Sequence, residues 1–179
     1  MQAVGGMLEL FDGLALRPQM PADEPFLRRL IHHSKAEVWQ ADKPRDEIHA
    51  ILDQQVAAQR AQYPQMHAQL MQFIITKTGV DVGRLEVGFG PNEWRVVALD
   101  FIPEMENKGF GTSVLKSLQA ASRNGMVPLT CAVRHDRPGL RQTLTTLGFQ
   151  VDQTGDTHAL MVYIPRAEGA PPPATPLTW

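Results

Sequence analysis

The order of hydrophobic and polar residues predicts strands and helices that follow one another along most of the chain. Short runs of β-branched, aromatic and aliphatic residues, bounded by glycine or proline, are typical of strands. The segments that fit this description are 70–76, 82–87, 94–102, 127–133, 149–152 and 158–164. The first two are joined across Gly79 and the last two follow each other closely, which predicts two hairpins.

Apolar residues at helical spacing predict four helices. They cover about 22–34, 44–62, the stretch that follows Gly111 and ends at about 124, and 140–146. The first carries Leu27, Leu30 and Ile31 on one face, and the second begins at Pro44, a residue suited to a first helical position. Gly125 is the expected stop of the third. Strands and helices in this order predict one domain of the α/β class, built on a single sheet.

The two ends differ in composition from the rest. Residues 1–13 contain three glycines and little periodicity, which predicts a loose leader that adds at most one short strand. Residues 165–179 contain five prolines and only Leu177 and Trp179 as sizeable apolar residues, which predicts a disordered or extended tail. The alternative is that Trp179 docks on a neighbouring subunit of a homodimer. The folded domain is therefore expected over 14–164.

Composition excludes several classes of function. Hydrophobic residues make up 43% of the chain and charged residues 20%, as in an ordinary globular domain. A net charge of −2, with no basic run containing aromatics, argues against nucleic-acid binding. No apolar run approaches the ~20 residues of a membrane span, and no signal sequence opens the chain, so we expect a cytoplasmic protein without a membrane partner. The only cysteine, Cys131, is interpreted as a small buried residue, and no cluster of potential ligands suggests a metal.

The segment between the strand that ends near Ile102 and the next helix is the most informative part of the chain. Gly109 and Gly111 lie where the strand gives way to the helix, so backbone N–H groups at the helix N-terminus are available to an anion such as phosphate. A nucleotide triphosphate loop is excluded because Lys108 precedes the first glycine instead of following the second. A dinucleotide fingerprint is excluded because Val114 stands where it requires a third glycine.

This segment resembles the acyl-CoA loop of the GNAT superfamily of N-acetyltransferases. The family pattern is Gln/Arg-x-x-Gly-x-Gly/Ala after a strand ending in aliphatic-x-Pro-Glu. The matching residues here are Pro103-Glu104 and Glu106-Asn107-Lys108-Gly109-Phe110-Gly111-Thr112. Glu106 departs from the pattern, because it stands where the family usually has Gln or Arg. Residues 14–18 also resemble the first strand of a GNAT domain.

A second match lies nearer the C-terminus. Many GNAT members carry Asn-Pro-x-Ala-x-x-Leu-Tyr-x-x-Leu-Gly-Phe there, and residues 137–149 align with this pattern without a gap. Pro138 and the Leu-Gly-Phe ending agree. Arg137 replaces the asparagine, and Leu144 replaces the tyrosine that is the family's usual proton donor to the departing CoA thiolate.

The resemblance implies a single GNAT-like domain, with a mixed, mostly antiparallel central sheet flanked by helices and splayed at its central strands. It also implies acetyl-CoA as cosubstrate. The residues expected to bind it are Phe101, Ile102, Asn107, Lys108, Gly109, Phe110, Gly111 and Thr112. The loop would cradle the pyrophosphate, and the backbone of Phe101 and Ile102 would pair with the pantetheine amides.

The function implied is transfer of an acetyl group to a primary amine by direct attack, with a small-molecule amine or a peptide or protein amine as acceptor. A base is needed, since a lysine-like amine with a pKa of ~10.4 is only about one part in ~10³ neutral at pH 7. The candidates are Asp100, Glu86, Glu93, Asp136 and His135. Asp100 is the preferred catalytic residue because it lies on the central strand beside the cleft, although it could equally be a structural acid.

The missing tyrosine leaves a second function open. Only Tyr63 and Tyr163 remain as tyrosine donors, and neither stands in the motif. With Leu144 in the donor's place, the alternative is a non-catalytic acyl-CoA-binding or regulatory module.

Overall fold

The computed structural model describes residues 3–4, 7–34, 44, 46–48, 50–54, 57–58 and 69–166. Predictions that concern Tyr63 or the segment 167–179, including Trp179, lie outside the described residues. The predicted second helix is described in part, and residues 46–48, 50–54 and 57–58 are helical.

Nine strands form one sheet in the described part of the chain. They are β1 (Ala3–Val4), β2 (Met7–Glu9), β3 (Leu14–Pro18), β4 (Leu70–Lys77), β5 (Val80–Phe89), β6 (Trp94–Phe101), β7 (Leu129–Arg134), β8 (Gln150–Thr154) and β9 (His158–Tyr163). Their spatial order is β1-β2-β3-β4-β5-β6-β7-β9-β8. Among these nine described strands, only β6 and β7 pair in parallel, so the predicted mixed and mostly antiparallel sheet is confirmed.

The β4–β5 hairpin shows how the local sequence sets the topology. Thr78 and Gly79 both have positive φ, 48° and 80°, as a two-residue hairpin turn of type I′ requires. Glycine adopts this conformation without a Cβ clash. The turn therefore closes the hairpin predicted across Gly79 and places two long, largely buried strands at the centre of the sheet.

Three helices with complete bounds flank the sheet. They are α1 (Glu24–Ser34), α2 (Phe110–Gly125) and α3 (Pro138–Thr146). Val114, Leu115 and Leu118 of α2 are buried in the main core, as their helical spacing predicts. The chain leaves the helical conformation at Met126, with φ of 51°, one residue after the predicted stop.

The N-terminal residues contribute more than the sequence indicated. β1 and β2 pair antiparallel and extend the sheet beyond β3, where at most one short strand was expected. The turn between β2 and β3 then packs on α2: the Phe11 N–H donates to Ser117 Oγ at 3.1 Å, and Ser113 Oγ donates to the Asp12 carboxylate. The N-terminal strands thus brace the first two turns of α2.

An ion cluster ties the start of α1 to the sheet. Arg17 of β3 donates two hydrogen bonds of 2.8 Å to Asp23, in the turn before α1, and also bonds Asp81 of β5. The hydrogen bonds from Arg17 hold the pKa of Asp23 below its usual range, against the opposing effect of burial. The two carboxylates in turn raise the pKa of Arg17.

The sheet opens at its centre. β6 and β7 pair only at Trp94–Leu129, Arg95–Thr130 and Val96–Cys131, although β6 continues to Phe101 and β7 to Arg134. A bulge lies at the same place: Val96 pairs with Val87 and Ala98 with Glu86, which leaves Val97 without a partner in β5. The predicted splay of the central strands is confirmed.

Candidate functional site

The gap between β6 and β7 exposes backbone groups that an ordinary sheet would use. The Ile102 N–H donates to the Val82 carbonyl at 2.9 Å, so the backbone of Ile102 is directed toward β5. Backbone polar groups alternate in direction along a strand, and the register from Ala98 to Phe101 is continuous. Leu99 and Phe101 therefore turn their N–H and C=O groups toward the gap.

A cavity of about 770 Å³ lies beside the end of β6 and continues to the start of α2. Its walls are the end of β6, the loop to α2, and the loop from β7 into α3. The lining residues are Leu99, Asp100, Phe101, Met105, Glu106, Asn107, Gly109, Phe110, Gly111, Asp136, Arg137, Pro138, Gly139, Leu140 and Thr143. The volume is within the usual range for a ligand site.

The N-terminus of α2 forms one end of this cavity. Gly109 is the residue before the helix and has φ of 83°, and Asn107 also has a positive φ, 56°. The first helical hydrogen bond is from Ser113 N–H to the Gly109 carbonyl, and no described side chain caps this end. The N–H groups of Phe110, Gly111 and Thr112 are consequently available to a ligand, with the helix dipole favouring an anion.

Glycine stands at positions 109 and 111 of the loop for two different structural reasons. Gly109 has a conformation that strains any residue with a Cβ. Gly111 does not: a Cβ there would meet only Phe101 and Leu99 side-chain carbons at 3.9 and 4.0 Å, which are ordinary contacts. Nothing in the described protein requires glycine at 111, whereas close approach of a ligand to the backbone would.

Charged side chains border the loop. His33 of α1 lies 3.5 Å from Glu106, measured from Nε2 to Oε1. Lys77, at the end of β4, donates to the Asp12 carbonyl at 3.0 Å, and its ammonium lies 4.4 Å from the centroid of the Phe110 ring. The loop therefore has a carboxylate at one position and a cation held beside the first residue of α2.

The α3 wall differs from the sequence-based expectation. Leu144, in the position of the family's tyrosine, has an exposure of 0% and belongs to the main core. The residue that α3 presents to the cavity at this level is Thr143, whose hydroxyl donates to the Gly139 carbonyl at 3.0 Å. The prediction that Leu144 faces the bound sulfur does not agree with this position.

The five candidate bases lie in different surroundings. Asp100 lines the cavity, but the Arg84 Nε–H donates to one of its oxygens at 2.7 Å. Asp136 also lines the cavity, and the hydrogen bonds from Arg134 lower its pKa. Glu86, Glu93 and His135 do not line the cavity.

Those three are held by other partners. Glu93 pairs with Arg95 at 3.0 Å, and His135 Nε2 lies 2.8 Å from the Gly155 carbonyl oxygen. Glu86 is buried beside Arg84, and their closest nitrogen and oxygen are 3.0 Å apart.

Cys131, possible metal ligands and possible membrane helices are the remaining features that could carry another function. Burial raises the pKa of Cys131 to about 11, which suits a structural thiol. Among the residues that the structure describes, no three histidine, cysteine or acidic side chains come together as metal ligands. None of the helices in the described ranges is long and apolar enough to cross a membrane.

Solved structures with the same arrangement identify the fold. A spermidine N-acetyltransferase from Vibrio cholerae, in complex with CoA and spermine, is 14% identical with a TM-score of 0.61, and the match covers 85% of this chain and 95% of that one. RimL, a ribosomal L7/L12 α-N-protein acetyltransferase in complex with CoA, is 14% identical with a TM-score of 0.59 over 89% and 98%. FdhC, described as a nucleotide-linked sugar GNAT, is 14% identical with a TM-score of 0.65 over 90% and 91%. The chain has the GNAT fold.

Similarity at the level of sequence does not extend this finding. No known family profile matches the chain, and no curated protein matches it. Two short sequence motifs nevertheless indicated the GNAT fold. One coincides with the loop before α2, and the other with the segment that begins at the N-terminus of α3.

Within the GNAT fold, the cavity contains only some of the residues expected to bind the cofactor. Five of the eight line it: Phe101, Asn107, Gly109, Phe110 and Gly111. Ile102, Lys108 and Thr112 do not, and the Ile102 N–H is already bonded to β5.

The second wall of the cavity, from Asp136 to Thr143, was absent from the expected set of cofactor-binding residues. The Pro138 match pointed to this segment. Only the splay of β7 away from β6 shows that the segment faces the loop before α2.

Proposed function

We propose that the protein is an acetyl-CoA-dependent N-acetyltransferase. The observation that carries the proposal is one continuous cavity that joins the part of β6 unpaired with β7 to the uncapped N-terminus of α2. A gap with free strand backbone suits the amide-bearing pantetheine arm, and a helix N-terminus suits a pyrophosphate. Two of the solved structures of the same fold contain CoA.

The cofactor would be held mainly by backbone. The N–H groups of Phe110, Gly111 and Thr112 bind the pyrophosphate, and Leu99 and Phe101 supply the groups that pair with the pantetheine amides. This assignment moves the strand contacts from Phe101 and Ile102 to Leu99 and Phe101, because Ile102 is bonded to β5. The thioester then lies near the bulge, where a free backbone N–H can stabilise the oxyanion.

The chemistry is direct attack. The amine nitrogen forms a bond to the acetyl carbon, the carbon–sulfur bond breaks, and the CoA thiolate leaves. A thiol with a pKa of ~8.5 is a tolerable leaving group, since protonating it near pH 7 is worth only about 2 kcal/mol. The absence of a tyrosine hydroxyl at position 144 therefore slows the reaction without abolishing it.

The fold leaves the acceptor open within the class of amines. The three similar structures are of proteins whose names refer to a small polyamine, a protein N-terminus and a nucleotide-linked sugar. We propose a primary amine, either of a small molecule or of a peptide.

The alternative function is a non-catalytic acyl-CoA-binding module, favoured by Leu144 and by Arg137 in the place of the family's asparagine. The two functions are separated by incubating the protein with acetyl-CoA and a panel containing spermidine, tyramine, lysine amide and a serine-initiated peptide. The proposal predicts amine-dependent release of free thiol together with an acetylated amine detected by mass spectrometry. Binding of acetyl-CoA with no acetylated product from any amine would favour the alternative.

A further inference from the structure

Glu86 is an anomaly in this structure. The residue is 2% exposed, and its Oε2 has no hydrogen-bond partner among the residues that the structure describes. Leaving a buried carboxylate oxygen without a partner is unfavourable, so such an atom calls for an explanation in terms of a ligand or water.

The surroundings of Glu86 hold its other oxygen in place. Oε1 accepts from Arg84 Nη1 at 3.0 Å and from Gln72 Nε2 at 3.3 Å. Arg84 also donates to Asp100 through Nε at 2.7 Å. The members of this cluster among the described residues include two carboxylates and one guanidinium, so their formal charge is −1 when both acids are ionised. One additional positive charge would neutralise the cluster. The atom available to pair with it is the Oε2 oxygen of Glu86, which has no partner among the described residues.

The register places Glu86 beside the opening of the sheet. Its partner in β6 is Ala98, the second residue after Val96, where pairing with β7 ends. Neighbouring strands are about 4.8 Å apart, so Glu86 is one strand away from the gap. Asp100, two residues after Ala98 on the same face, lines the cavity, whereas Glu86 does not. Arg84 joins the two carboxylates, so Glu86 lies directly behind the cavity wall at Asp100.

We infer that Glu86 binds the ammonium of the acceptor amine and takes its proton. Gln72 and Arg84 are positioning residues that fix Oε1 and leave Oε2 for the substrate. Asp100 acts as the counter-ion of Arg84 at the cavity wall. Glu86 is favoured as the base because its Oε2 is the buried oxygen that has no partner in the described part of the chain. The inference rests on the proposed function and assigns residues within it.

The step balances without a further reactant. The ammonium transfers one proton to the Glu86 carboxylate and becomes a neutral amine, which forms the nitrogen–carbon bond as the carbon–sulfur bond breaks. The second proton lost from nitrogen matches the one that the CoA thiolate gains. Glu86 then releases its proton to solvent before the next turnover.

Glu86→Gln tests the assignment, because it keeps shape and removes the base. With the panel amine that the wild type acetylates fastest, kcat/KM at pH 7 should fall about 10²- to 10⁴-fold. The affinity for acetyl-CoA, measured by calorimetry, should stay within about twofold. Glu9→Gln, an exposed acid on β2, is the matched control and should leave all values unchanged.

The pH profile separates a base from a structural role. The variant can use only amine that is already neutral, so its deficit relative to wild type should shrink about tenfold per pH unit from 7 towards the amine pKa of about 10. A deficit that does not change with pH would overturn the assignment. So would a variant with kcat/KM within twofold of wild type.

A second variant and the activity of the wild type decide the cases that Glu86→Gln alone leaves open. If Glu86→Gln does not fold, Glu86→Asp decides instead: a loss of tenfold or more with unchanged acetyl-CoA affinity supports the assignment, and an unchanged kcat/KM overturns it. A wild type that binds acetyl-CoA but acetylates no amine overturns the proposed function and this inference together. An active wild type with an unaffected variant overturns only the inference.

Discussion

Replacing Gly111 with alanine should weaken acetyl-CoA binding without destabilising the protein. The change adds one methyl group in the first turn of α2, directly at the proposed pyrophosphate site. In the protein itself this methyl meets only Phe101 and Leu99 carbons at 3.9 and 4.0 Å, so no neighbour has to move. Alanine is also the better helix former, by up to about 1 kcal/mol. The free energy of unfolding should therefore stay the same or increase slightly.

The affinity for acetyl-CoA should fall because the added methyl group prevents close approach of the phosphate. A phosphate that approaches the Gly111 N–H as closely as a hydrogen bond requires would meet the new Cβ. Losing one hydrogen bond to a charged group costs about 1.5–3 kcal/mol, which corresponds to roughly tenfold to hundredfold in the dissociation constant. Gly111→Val, with its two additional methyl groups, should lose more.

Calorimetric titration with acetyl-CoA and urea unfolding of each variant measure the two effects separately. The matched control is Gly125→Ala at the other end of α2, about 21 Å away for 14 residues of helix. A Cβ there also makes only ordinary contacts, the shortest 3.7 Å. Equal affinities of Gly111→Ala and Gly125→Ala would contradict the prediction, and so would a loss of affinity that arises only because Gly111→Ala is unfolded.

Three other changes test separate parts of the account. Glu106→Gln should tighten acetyl-CoA binding about threefold to tenfold at low salt, since it removes a negative charge beside the phosphates, and a calorimetric titration with no gain at low ionic strength would contradict this. Asp23→Asn should lower the free energy of unfolding at pH 7 by about 1.5–3 kcal/mol through the lost charged hydrogen bonds from Arg17. Because the folded-state pKa of Asp23 is lowered, its contribution is complete above the unfolded value of about 3.9 and is lost as pH falls through the folded pKa, so the urea curves of variant and wild type should converge in acid. Leu144→Tyr should destabilise the protein by about 1–3 kcal/mol without raising turnover, because the hydroxyl enters an apolar core while Thr143 keeps the cavity position; a faster enzyme would show that α3 presents residue 144 to the sulfur after all.

Features set by local sequence could be predicted. The β4–β5 hairpin depends on a turn that needs positive φ at Gly79, and the loop before α2 depends on a strand followed by two glycines, so both are readable from a few adjacent residues. The fold class followed from the order of such elements.

Features set by tertiary packing could not be predicted. The hydrogen bond between Arg84 and Asp100 joins positions that are 16 residues apart in the sequence. It depends on the register of β5 against β6, and a bulge between Glu86 and Val87 shifts that register. The orientation of Leu144 was missed because adjacent residues of a helix differ by about 100° in direction, and a gapless motif match does not fix the rotation of α3 against the core. The strands of the leader are set by pairing with other strands, since β2 pairs with β3 and β1 pairs with β2.

The proposed cofactor site can be seen directly in a crystal structure with acetyl-CoA bound. We expect the pyrophosphate within hydrogen-bond distance of the N–H groups of Phe110, Gly111 and Thr112, and the pantetheine between β6 and β7 beside Leu99 and Phe101. A bound cofactor elsewhere on the protein, with the β6–β7 gap empty, would contradict it.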